Sequence, residues 1–79
     1  YPNPFNPSTR IEFEVPQIAH VRLEVFNIVG QKVAELLNET KAIGSYSIDF
    51  NARTLPSGVY LYRLEAGSQT IIRKMTLLK

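Results

Sequence analysis

The 79-residue chain has no cysteine and no tryptophan, and it carries one histidine and one methionine. Without cysteine there is no disulfide, no thiol nucleophile and no zinc-thiolate site, a composition that also suits passage through an oxidising compartment. The single histidine, His20, has no second imidazole or thiol with which to form a metal site or a nucleophilic pair. The strongly apolar runs are short, as in Ile71-Ile72 and Leu77-Leu78, far below the roughly 20 residues of a membrane-spanning helix. Nine Lys and Arg stand against seven Asp and Glu, a net charge of +2, which gives no basic face dense enough for nucleic acid. The four glycines, Gly30, Gly44, Gly58 and Gly67, fall one per presumed turn, so no glycine-rich loop cradles a phosphate. No cofactor, metal or small-molecule substrate is therefore expected, and no catalytic residue.

The remaining polar residues support the same reading. Glu12, Glu14 and Glu24 alternate with apolar positions and are expected to form a solvated face that blocks edge-to-edge aggregation. Asp49 and Asn51 offer two oxygen ligands, whereas a useful calcium site takes about six to eight. Tyr60 and Tyr62 share the parity of Leu64, which favours core packing over a platform for sugars or bases. Arg63, Arg73, Lys74 and Lys79 gather late in the chain, either as a solvated edge or as a contact for an acidic partner.

What is present is strand periodicity. Residues 1–9, Tyr-Pro-Asn-Pro-Phe-Asn-Pro-Ser-Thr, form a lead-in segment with three prolines, which bias the residues before them to extended backbone. Ile11, Phe13 and Val15 then alternate with charged residues, and Val21, Leu23 and Val25 repeat the pattern. A reversal through Gly30 follows. Residues 31–39 are ambiguous: Val33, Leu36 and Leu37 fit helical spacing, while the surroundings favour a strand. Tyr46, Ile48 and Phe50 form the next inward set, and residues 51–58 are a loop by their Pro and Gly content. Tyr60, Tyr62 and Leu64 point inward, Gly67-Ser68 makes a two-residue hairpin turn, and a last strand runs from Gln69 to Lys79. In that strand Ile71, Met75 and Leu77 lie on one parity, with Ile72 and Leu78 on the other. A bulge or burial within the sandwich is the ordinary explanation, and a surface awaiting a partner is the sharper one. The expected fold is all-β, a small antiparallel immunoglobulin-like β-sandwich of about six to seven strands.

The opening Tyr1 to Thr9, the Val25-Phe26-Asn27-Ile28-Val29-Gly30-Gln31-Lys32-Val33 run, the Leu55-Pro56-Ser57-Gly58-Val59-Tyr60-Leu61-Tyr62-Arg63-Leu64 run and the closing Lys74-Met75-Thr76-Leu77-Leu78-Lys79 together resemble the C-terminal sorting domains, type A, of the type IX secretion system of Bacteroidetes and related bacteria. The resemblance implies a non-catalytic domain, residues 1–79, at the end of a larger secreted protein. Its implied partners are the outer-membrane translocon, an associated sortase-like cysteine peptidase that often removes the domain, and an N-terminal cargo domain. The implied route is export to the periplasm and then passage to the cell surface or medium. Carried over to matching positions, Pro56, Gly58 and Tyr60 stand in the family's Pro-x-Gly-x-Tyr motif, and Lys74, Leu77, Leu78 and Lys79 in its terminal motif. These are the residues implied in partner recognition, the terminal motif by association with it, while a structural role is the equal alternative for Gly58 and Tyr60. The chain begins at Tyr1, and it is read as one piece of a longer polypeptide. Two other readings compete: an immunoglobulin-like scaffold similar to that of the flagellar hook-capping protein, and a carbohydrate-binding or adhesive module.

Overall fold

The computed structural model describes residues 8–78, so the proline-rich reading of residues 1–7 and the role expected of Lys79 lie outside the described residues. Among the described residues six strands follow one another: β1 (Ser8–Val15), β2 (Ala19–Asn27), β3 (Lys32–Lys41), β4 (Gly44–Asn51), β5 (Gly58–Ala66) and β6 (Gln69–Leu77). All pairings are antiparallel, and the strands form a two-stranded sheet, β1-β4, and a four-stranded sheet ordered β3-β2-β5-β6. This is the all-β sandwich that the alternation predicts.

The core sits where the inward parities of both sheets meet. Ile11, Phe13 and Val15 from β1 and Phe50 from β4 pack with Val21, Leu23, Val25, Leu37, Tyr60, Leu64 and Leu77 from the larger sheet. Each is a position at which period-2 alternation selects one face. Phe13 stacks on Tyr46 across the small sheet, with ring centroids 5.6 Å apart. At the corner between the sheets Tyr46 donates its hydroxyl to the carbonyl oxygen of Ala42 at 2.6 Å, and the Lys41 ammonium lies 5.0 Å from the Tyr46 ring centroid. The end of β3 is thereby tied to the start of β4.

The ambiguous segment is strand. Opposite β2, the register slips between Leu23 and Glu24 and again between Val25 and Phe26. Leu36 and Val33 are the extra residues at those two slips, because Leu37 and Glu35 pair with consecutive β2 residues, as do Ala34 and Lys32. Two bulges thus reproduce the i, i+3, i+4 apolar spacing of a helix within an extended chain. The β2–β3 reversal is closed by Asn27, whose side-chain oxygen accepts the backbone N–H groups of Val29 and Gln31, with Gly30 at φ 88°.

The last strand departs from its ordinary explanation. It pairs with β5 from Gly58↔Leu77 to Ala66↔Gln69 without a register shift, so there is no bulge. It is also an edge strand, ending at Leu77 instead of Lys79, and Ile71, Ile72 and Leu78 are 41%, 59% and 68% exposed. Burial therefore does not account for the mixed parity.

Candidate partner-recognition surface

Of the two segments singled out in sequence, the β5–β6 ladder brings the described residues 58–61 and 74–77 side by side. Gly58 stands opposite Leu77, Tyr60 opposite Met75 and Leu61 opposite Lys74. Gly58 adopts φ 155°, a backbone that L side chains rarely take, and a Cβ there would meet no atom within 4 Å. The glycine is therefore required by conformation and not by crowding. Tyr60 is buried, and its hydroxyl donates to the carbonyl oxygen of Pro56 at 2.7 Å. That bond ties the start of β5 to the stiff loop before it. With its ring in the core, Tyr60 offers no platform for a sugar.

The terminal motif divides by parity. Leu77 is buried and anchors β6 in the core, whereas Leu78 is 68% exposed beyond it and Lys74 is exposed on the strand. The surface around these residues includes exposed Val59 and Ile72. Among the described residues its cations Arg73 and Lys74 form no ion pair, while Arg10, Arg22, Lys32, Lys41 and Arg63 all do. No acidic residue follows Glu65 in the chain.

On the outer face of the larger sheet, Glu24 overturns its expected exposure. The alternation places it outward correctly, yet it is 5% exposed. Arg63 reaches it from β5 at 2.8 Å, Lys32 from β3 at 3.4 Å, and Arg22 from its own strand at 3.8 Å. Arg63 also lies over the Phe26 ring, 5.0 Å from its centroid, and Arg22 continues the chain of charge to Glu65 at 2.9 Å. The Arg63 hydrogen bond holds the Glu24 carboxyl below the usual glutamate range against the opposing effect of burial, helped by Lys32 and Arg22. Glutamate on β5 and β3 in turn raises Arg22 and Lys32. Sequence reasoning missed this cluster, because only the strand register brings its members together.

The other polar candidates are engaged locally. His20 hydrogen-bonds through Nε2 to Asn38, Asp49 pairs with Arg10 at 3.3 Å, and Asn51 accepts the backbone N–H of Arg53. Among the described residues no three His, Cys, Asp or Glu side chains are grouped to hold a metal ion.

Comparison with known proteins bears on the chain as a whole. No curated protein and no solved structure matches the chain. The family model described as "Secretion system C-terminal sorting domain" matches residues 1–77, nearly the whole sequence and both motifs up to Leu77. Such domains are in general non-catalytic, and they imply a cargo protein handled by the type IX machinery and passed to the cell surface or outside. The chain belongs to the secretion system C-terminal sorting domain family, the sorting signals of type IX secretion.

Proposed function

We propose that this chain is the single terminal domain of a larger secreted protein, and that it is read in the periplasm by the outer-membrane translocon through the surface where β5 begins and β6 ends. Pro56 and Gly58 shape that surface, Tyr60 and Leu77 hold it in place from the core, and Lys74, Leu78 and Lys79 make the contact. The observation that carries this reading is the Gly58↔Leu77 register, which makes one surface of two motifs that lie about twenty residues apart in sequence. A stiff loop beside an anchored strand end presents a fixed shape, and a fixed shape costs little ordering on binding. The cargo domain precedes the sorting domain, which a cysteine peptidase of the machinery often removes after passage or which serves in surface attachment.

The test is a fusion of these 79 residues to the end of an export-competent fluorescent reporter in a bacterium that has the type IX machinery. The expected result is reporter at the surface or in the medium, dependent on the translocon. Retention of the folded, fluorescent reporter in the periplasm, in a strain that exports a cognate domain, would contradict it.

A further inference from the structure

The two edges of the four-stranded sheet differ in how they resist further pairing. β3 is broken by two register shifts against β2, a device that twists an edge away from a straight partner. β6 has none across its nine pairs with β5, and it contains no proline or glycine. Among the described residues its outer edge is unpaired, and it carries apolar side chains on both faces, Ile71 and Ile72, next to two cations on both faces, Arg73 and Lys74. The cations could serve only to blunt the edge, as lysines do elsewhere. Blunting, however, does not explain two adjacent exposed isoleucines, which favour the pairing that the cations would oppose.

From this we infer that β6 accepts one more strand, an extended segment of a partner protein in which two adjacent acidic residues neighbour two adjacent apolar residues. The reasoning is geometric. Successive residues of a strand point to opposite faces, so Arg73 and Lys74 can both be met across the ladder only by two consecutive acids. Ile71 and Ile72 likewise call for two consecutive apolar residues. An antiparallel segment reads acid-acid-apolar-apolar from its N-terminus, and a parallel one reads the reverse. Main-chain bonds would supply affinity, and the four side chains would supply selection. A second copy of this chain is a poorer occupant: its β6 contains no acid, so both cations would stay unpaired. This inference extends the recognition surface proposed above along β6 from their shared residue, Lys74, and so rests on that reading.

The test uses nine-residue threonine-based peptides bearing two glutamates beside two valines, in each of the two orders. Each is titrated into the chain while backbone amide shifts and hydrogen exchange are followed. Saturable binding of one order, with new protection confined to Gln69–Leu77, is expected. Arg73→Glu with Lys74→Glu should weaken it by about tenfold or more, and a peptide with lysines in place of the glutamates should bind that variant instead. Both side chains are solvent-facing, so the variant keeps its core. No binding by either order, equal binding of a peptide with its glutamates scattered, or protection of β6 by self-association alone would overturn the inference. The titration involves no secretion machinery, so a negative result here leaves the export reading standing, and failed export leaves the titration standing.

Discussion

Arg63 on β5 donates to Glu24 on β2 at 2.8 Å, and that contact turns an outward-facing carboxylate into a buried one. Three cations converge on it, so replacing it removes the group that holds them together. Glu24→Gln should destabilise the domain by about 1–2 kcal/mol, read as a lower urea midpoint with an unchanged slope.

The same carboxyl gives the domain a pH dependence. Its folded pKa lies below its unfolded one, so its contribution is complete above the ordinary glutamate range and is lost as pH falls from there through the folded value. Urea midpoints measured between neutral pH and acid should fall more steeply for the natural chain than for Glu24→Gln. Parallel curves would remove Glu24 from the account of acid sensitivity.

Tyr60 and Pro56 are joined by a hydroxyl that has no other described partner. Tyr60→Phe keeps the buried ring and deletes only this bond, so it should cost about 1 kcal/mol and loosen residues 56–58. Hydrogen exchange of the loop amides should rise while the β2 amides stay protected.

At Gly58 the open space and the unusual φ make opposite forecasts. If crowding mattered, alanine would be tolerated, since nothing lies near its Cβ; the backbone conformation forbids that. Gly58→Ala should therefore destabilise by about 1 kcal/mol or more, as seen by thermal unfolding.

Strand alternation made most of this fold legible. Ile11, Phe13 and Val15, and again Val21, Leu23 and Val25, are buried as their parity requires. Residues 31–39 were not legible, because the two bulges that place Val33 and Leu36 depend on pairing with β2. Glu24 was legible as outward but not as buried, since its cover comes from side chains on two neighbouring strands. The mixed parity of β6 was visible, but its cause was not: the strand lies at an edge, a fact of topology that composition does not carry. For the residues proposed to act in recognition, sequence supplied the two motifs, and the ladder supplied the adjacency of their described parts.

The division of the terminal motif into a buried Leu77 and an exposed Leu78 decides how the central claim is tested. Removing residues 74–79 would strip Leu77 from the core and undo the end of β6, so lost export would report lost folding as well as lost recognition. Leu77→Ala alone should cost about 2–5 kcal/mol. The direct measurement is export of the reporter fusion carrying Lys74→Glu and Leu78→Ser, two surface changes, with folding checked by its urea midpoint. The account predicts a domain with its midpoint nearly unchanged and its reporter held in the periplasm; undiminished export by that folded variant would contradict it.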